Sequence, residues 1–314
     1  MKILFIDSAH PSLKEELRKH AFICEEDFTS SKSEIEKKIF AYDGVVLRSR
    51  FDIDKKFIDA TTHLKFIARV GAGMEHIDVK YAEQKGIKCL SSPEGNSNAV
   101  AEHALGMMLS LLNNICKANS EVKGGKWIRE GNRGTELEGK TIGIYGYGNT
   151  GSAFAKVLCG FDVKVLAYDK YKKNFGNENV KEASPEEVFL HTDVLSLHLP
   201  LTDETKYMVN DSFIRRFKKN IYLINSSRGP IVKTDDLIKN LNSGKILGAC
   251  LDVLEYEETS FEEISSAVSS HSLVELEYLK SSSNVILTPH IAGWSYQSSE
   301  KMARILVQKI TRIL

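Results

Sequence analysis

Neither sign of charge is in excess in this chain: Lys plus Arg and Asp plus Glu number 42 each. No net field draws it to nucleic acid or to an anionic membrane surface, so small-molecule partners are expected. The five cysteines, Cys24, Cys89, Cys116, Cys159 and Cys250, are odd in number and scattered without a CxxC. Neither a disulfide framework nor a zinc site is indicated, and most of them sit in apolar runs as core filler. No apolar run approaches the roughly 20 residues that span a bilayer. The opening MKILFID reads as a first strand rather than a signal peptide. A cytoplasmic, reducing setting is the expectation, with no metal, no nucleic acid and no membrane partner. What is present, 314 residues of which 42% are hydrophobic, can bury a large core and suggests about two domains.

The chain is organised around TIGIYGYGNTGSAFAKVL, residues 141 to 158. Thr141, Ile142, Ile144 and Tyr145 suit a strand buried on both faces; Gly146, Gly148 and Gly151 follow as GxGxxG; Ala153, Val157 and Leu158 open a helical stripe. The first glycine permits a tight turn, the second lets backbone approach a pyrophosphate, and the third lets helix pack close to strand. Free N–H groups at the helix start then hold phosphate. A second strand, VKVLAYD, ends in Asp169, close to the roughly 20 residues beyond the first glycine where an acid takes the adenosine ribose hydroxyls. Asp169 repels a 2′-phosphate, so NAD is expected over NADP; Lys170, Lys172 and Lys173 directly after it partly offset that repulsion.

Before this motif, helical stretches alternate with the short apolar strands VVLRS, LKFIARV and IKCLS up to about residue 92. Such alternation predicts a parallel sheet with helices on both faces. Arg48, Arg50 and Arg69 fall at strand ends, where open parallel sheets bind ligands. Pro93 and Gly95 then read as a turn, Asn96 or Ser97 as a cap, and Ala99 to Ala118 as one long apolar helix buried between domains or subunits, with Glu102 and His103 structural. The glycine-rich residues 122 to 139 read as a loop that contacts a partner subunit. After the motif come strands at residues 194 to 199 and 221 to 225, a capped helix from TDDLIKNLN, the strand ILGACLDV, and NVILTPHIAGW. The last helix follows His290 and is expected to return to the first domain.

Three strand ends present Arg228, Glu257 and His290, and these residue types suffice for oxidation of a 2-hydroxy acid. Histidine titrates in the range of a base that removes the hydroxyl proton. A carboxylate on its other ring nitrogen would fix the tautomer, and arginine would hold the substrate carboxylate through its planar fork. Glu255 and Glu258 on the same loop are rivals for Glu257.

In order along the chain, LRSR, RVGAGMEHID, GNSNAVAEH, GTELEGKTIGIYGYGNTG, LHLPLT, NSSRGPIV, LDVLEYE and TPHIAGW resemble the D-isomer-specific 2-hydroxyacid dehydrogenase family. Among its members the chain is most similar to short-type D-3-phosphoglycerate dehydrogenases, which make serine precursors. The resemblance implies an α/β fold: a Rossmann-type doubly wound parallel sheet over residues 96–290, and a smaller flavodoxin-like substrate domain from residues 1–95 and 291–314. It further implies a cleft that closes over NAD and a 2-hydroxy or 2-keto acid, and a homodimer. Carried over by position, Arg228 binds the substrate carboxylate, Glu257 orients, and His290 is the acid/base. Cofactor contacts are implied for Gly146, Gly148, Asn149, Thr150, Gly151, Asp169, His198, Pro200, Thr205, Ser226, Asp252 and Gly293. Substrate contacts are implied for Arg48, Ser49, Arg69, Val70, Gly71, Ala72 and Gly73. The chain departs from the family at Glu258, where a proline is usual, at Thr150, and in a longer segment 258 to 283; Trp294 places a large ring after HIAG.

Overall fold

The computed structural model describes residues 1–257 and 269–313. Of these, Met1–Ser97 and the residues from Trp294 onward form one compact unit, and Asn98–Glu257 with the residues up to Gly293 form a second.

The first unit is built on strands β1 (Lys2–Phe5), β2 (Ile23–Glu26), β3 (Gly44–Leu47), β4 (Phe66–Arg69) and β5 (Lys88–Leu90), in the order β2-β1-β3-β4-β5. All pairings are parallel, and the order is that of flavodoxin-like sheets. Successive side chains of a strand face opposite ways. Ile3, Phe5, Val46, Phe66 and Ala68 therefore pack with Leu13 and Leu17 of one helix and Met302, Leu306 and Ile310 of the C-terminal helix Tyr296–Thr311. Leu4, Ile6, Val45, Leu47 and Ile67 pack on the other side with Ile35, Phe57 and Ile58. Central strands β3 and β4 are buried throughout, which is why they read as continuous apolar runs. Edge strand β2, ICEE, escapes such a reading because its only buried residue is Cys24 and Ile23 stays 60% exposed.

Strands β6 (Thr141–Tyr145), β7 (Lys164–Tyr168), β8 (Lys181–Glu182), β9 (Val194–Leu197), β10 (Ile221–Asn225), β11 (Ile246–Leu251) and β12 (Val285–Leu287) form the second sheet, in the order β12-β11-β10-β9-β6-β7-β8. Counted from β6, that is the doubly wound Rossmann order with one strand added. The chain reverses direction of travel between β6 and β9, whose registers pair Tyr145 with Leu197. Ligands of such sheets bind outside the strand carboxyl ends at that reversal.

The long helix differs from its expected bounds. It runs Pro93–Leu112, and a separate helix follows at Ile115–Lys123. Proline is favoured at the first helical position because its missing N–H had no partner there. The break falls at Asn114, whose φ of 54° is left-handed, a conformation Asn tolerates better than most residues. Beyond it, residues 124 to 139 carry only one short 3-10 turn, Glu130–Asn132.

Candidate active site

Gly146 leaves β6 with φ at +96°, and a Cβ there would stand 2.2 Å from the His198 carbonyl oxygen. Only glycine fits that approach. A Cβ on Gly151 would likewise meet the Gly146 carbonyl oxygen at 2.1 Å, so the third glycine is the one that seats helix Asn149–Val157 against the turn. Gly148 is different: a Cβ there meets nothing within 4 Å. It occupies the N-cap of the helix with no side-chain cap, and Asn149 beside it is exposed. An uncapped helix start under an open glycine fits a pyrophosphate held by backbone N–H groups.

Asp169 at the end of β7 already has partners. Its Oδ2 accepts from Tyr147 N–H at 2.8 Å, and its Oδ1 from the N–H groups of Tyr171 at 2.9 Å and Lys172 at 2.8 Å. Partial burial pushes its pKa up, but the backbone donors outweigh burial and hold the carboxyl below its ordinary value. The group is thus an anion that also fixes the glycine turn through Tyr147. Tyr147 stacks on Phe175 with ring centroids 4.4 Å apart. His198 turns its ring inward: Nε2 meets the Ser196 hydroxyl at 2.9 Å, the ring lies 5.4 Å from Phe154, and burial lowers its pKa to about 3. Its contribution to the glycine turn is the backbone carbonyl. Thr205 donates its hydroxyl to the Pro200 carbonyl at 2.7 Å, fixing the turn after β9. The Ser226 hydroxyl, after β10, is buried without a hydrogen-bond partner among the described residues.

Three loops at the strand carboxyl ends of the same unit carry Arg228, Glu257 and His290. His290 has a left-handed backbone, φ 54°, and its N–H donates to the Asp252 carbonyl at 2.7 Å and the Thr288 carbonyl at 3.0 Å. Its Nδ1 stands 2.7 Å from Glu257 Oε2, with the two side chains 23% and 14% exposed. Against an acceptor-only carboxylate the proton sits on Nδ1, which leaves Nε2 with its lone pair. The rival Glu255 is engaged elsewhere. Its Oε1 accepts from the Tyr207 hydroxyl at 2.7 Å, and its Oε2 accepts from Thr234 N–H at 3.1 Å and the Thr234 hydroxyl at 2.8 Å. Glu258 lies outside the described residues. Arg228 follows β10, with Nη1 donating to the Ser227 carbonyl at 2.7 Å and its own carbonyl accepting from Asn225 Nδ2 at 3.0 Å.

Asp252, 1% exposed, organises the His290 turn instead of reaching outward. Its Oδ1 accepts from the Thr288 hydroxyl at 2.6 Å and Ile291 N–H at 2.9 Å, and its Oδ2 from Ala292 N–H at 2.9 Å, next to Gly293. His103 Nε2 lies 3.0 Å from the Thr288 hydroxyl and 3.6 Å from Asp252. The structural role expected for His103 is therefore a specific one, tying helix Pro93–Leu112 to the peptide that carries His290. Its apolar sequence surroundings give no sign of this.

In the first unit, Asp7 after β1 gathers the β3 loop: its Oδ2 accepts from the N–H groups of Arg48 at 2.7 Å, Ser49 at 3.1 Å and Arg50 at 3.1 Å. Arg50 is committed to the fold, donating to the carbonyls of Ile6, Asp27 and Ser30. Arg69 is 7% exposed and bridges the Arg48 carbonyl at 2.9 Å and the Gly73 carbonyl at 2.7 Å, shaping the loop of Val70, Gly71, Ala72 and Gly73. The Arg48 guanidinium lies 4.2 Å from the Trp294 ring centroid, a cation–π distance. Among the described residues no cluster of His, Cys, Asp or Glu suits a metal, and no helix is long and apolar enough to cross a membrane.

Residues 105–292 match the model of the D-isomer specific 2-hydroxyacid dehydrogenase, NAD binding domain. The hydroxypyruvate reductase of Thermotoga maritima is 35% identical over 90% of this chain and 88% of its own. The D-3-phosphoglycerate dehydrogenase of Archaeoglobus fulgidus is 31% identical over 100% of this chain, which spans 57% of that enzyme. Among solved structures, a D-lactate dehydrogenase from Aquifex aeolicus complexed with NAD and lactic acid superimposes with a TM-score of 0.82 at 28% identity, covering 99% of this chain and 94% of that one. Matched over more than half its length by the family's model, the chain belongs to the D-isomer-specific 2-hydroxyacid dehydrogenases, with NAD as its cofactor.

Proposed function

We propose that the chain interconverts a D-2-hydroxy acid and its 2-keto acid, with 3-phosphoglycerate and phosphohydroxypyruvate as the pair. The observation that carries the reaction is the 2.7 Å contact between His290 and Glu257, on the same strand-end face as Arg228. Bound NAD supplies the chemistry of taking up or returning hydride. His290 Nε2 takes the hydroxyl proton in oxidation and returns it in reduction, and Glu257 keeps the ring in that tautomer and stabilises the imidazolium. Arg228 holds the substrate carboxylate and polarises the carbonyl. In this reading Arg48 and Arg69 attract the substrate's second anionic group.

A second substrate reading, an unphosphorylated keto acid such as hydroxypyruvate or glyoxylate, is favoured by one observation: Arg50 gives its guanidinium to three backbone carbonyls. Arg69, 7% exposed, likewise gives its guanidinium to the Arg48 and Gly73 carbonyls, so these strand-end arginines serve the loops of the first unit as well as any anion. Initial rates with NADH against phosphohydroxypyruvate, hydroxypyruvate, glyoxylate and pyruvate separate the readings. A clear preference for phosphohydroxypyruvate supports the first, and preference for an unphosphorylated acid makes Trp294 the specificity residue. No turnover of any of them, with NADH still bound, would leave an NAD-sensing binding protein as the function.

The same reading makes the chain a homodimer. Ile115, Val122, Trp127 and Ile128 lie close in sequence and expose 54%, 50%, 81% and 46% of their surface, an apolar stretch that a second copy would cover. Sedimentation of the wild type and of Trp127→Asp tests it; a monomeric wild type ends the idea.

A further inference from the structure

We propose that Glu255 is a positioning residue for the reaction, holding in register the peptides that carry Arg228 and Glu257; the idea rests on the catalytic reading above. Helix Thr234–Asn242 has Lys233 at its N-cap and no side-chain cap of its own. Glu255, from the loop after β11, supplies the missing acceptor to Thr234. Its second oxygen takes the hydroxyl of Tyr207, a residue held at a left-handed φ of 53°. Such a backbone persists in a bulky residue only where its surroundings over-determine it. Here the Tyr207 N–H is fixed on the Pro230 carbonyl at 2.7 Å. The hydrogen bond to Glu255, together with burial, pushes Tyr207 up to about 12, so the phenol stays a donor.

Pro230 and Gly229 belong to the turn that follows Arg228, and that turn lies flush against the Glu255 peptide. A Cβ on Gly229 would stand 1.9 Å from the Leu254 carbonyl oxygen and 2.6 Å from Glu255 N. Leu254 in turn donates its N–H to Glu257 Oε1, the carboxylate whose other oxygen orients His290. One carboxylate therefore joins three segments: Tyr207, which grips the Arg228 turn; Thr234, which opens the helix; and the peptide two residues before Glu257. The next residue, Tyr256, donates its hydroxyl to Glu275 of helix Ser270–Ser281, so both residues that lead into Glu257 are anchored.

A cap alone would affect stability; a positioning residue also changes turnover at unchanged ground-state binding. Small misplacements of catalytic groups can cost roughly 10²-fold, and an interaction that matters in the transition state lowers kcat while leaving KM in place. Glu255→Ala is expected to lower kcat by about 10- to 100-fold with NADH affinity and keto-acid KM unchanged. Glu255→Gln, which keeps a carbonyl acceptor, should recover part of the loss, and Tyr207→Phe should show a smaller one. In ¹⁵N-histidine-labelled protein, the Nδ1–H resonance of His290 should shift or broaden in Glu255→Ala and return towards the wild-type position in Glu255→Gln. Folded Glu255→Ala with wild-type kcat and an unmoved resonance would overturn the proposal and leave Glu255 as a cap. If that variant does not fold, Glu255→Gln and Tyr207→Phe decide by the same two readouts. Should the wild type reduce no 2-keto acid, the catalytic reading falls, while the resonance still decides whether Glu255 positions the pair.

Discussion

Asp169 holds its turn with the same lone pairs that the proposed cofactor contact to the adenosine ribose would use. A carboxylate offers about four acceptor sites, and three are taken by the N–H groups of Tyr147, Tyr171 and Lys172. Asp169→Ala should therefore raise NADP use relative to NAD and, by releasing Tyr147, weaken both cofactors. Binding titrations with NADH and NADPH check this: an unchanged ratio would mean that the acid serves the turn alone. At His290 the left-handed backbone guides the choice of variant. His290→Asn tolerates φ 54° better than His290→Ala, and it should cost roughly 10²- to 10⁴-fold in kcat with NADH affinity intact; undiminished turnover would remove the residue from proton transfer. The family resemblance, not spacing, points to the histidine, the arginine and Glu257; the residues alone leave Glu255 and Glu258 as rivals, because acids one or two residues apart on a loop differ only in where the backbone aims them. The Thr234 and Tyr207 donors occupy Glu255, and Glu257 meets the histidine. Neither relation is visible without the fold, since the partners stand 21 to 48 residues away.

At the scale of elements, the glycine turn is the part most legible in sequence, because three glycines, a fully buried strand and a helix start each announce one requirement. Their requirements separate physically. Gly146→Ala places a Cβ 2.2 Å from the His198 carbonyl at a φ of +96° and should destabilise the fold by about 1–3 kcal/mol or more. Gly148→Ala meets no protein atom, so stability should stay within about 0.5 kcal/mol while NADH binding weakens. Urea unfolding and a fluorescence titration on both variants check the pair. A Gly148→Ala protein that binds NADH normally would show that the cofactor does not use the open face. The edge strands β2 and β8 and the early start of the helix at Pro93 were not legible: an edge strand needs few apolar residues, and a proline that reads as a turn equally opens a helix.

For the molecule as a whole, titratable groups shifted in opposite directions contribute to stability at both ends of the pH range. Asp169, Asp27 and Glu94 have carboxyls held below their ordinary values; Lys38 is the largest cause at Asp27, and at Asp169 and Glu94 hydrogen-bond donors outweigh a burial that acts the other way. Their contribution is complete above the unfolded carboxylate pKa, about 4, and is lost as pH falls through the lower folded values. At the alkaline end, burial raises Tyr42 and Tyr145 to about 12, and the hydrogen bond to Glu255 with burial does the same for Tyr207. A raised pKa means that the folded state holds its proton more tightly, so this contribution is intact below about pH 10, the unfolded tyrosine value. It is lost between there and about 12. The slope of unfolding free energy against pH counts the protons that differ between the two states. Between pH 10 and 12 it should be negative in the wild type and shallower by one tyrosine's share in Tyr207→Phe, while the slope below pH 4 is the same in both. Urea unfolding across that range, followed by tryptophan fluorescence, measures it. Equal alkaline slopes would show that Tyr207 loses its proton in the folded chain as readily as in the unfolded one, and with that the Tyr207–Glu255 contact would cease to favour the fold.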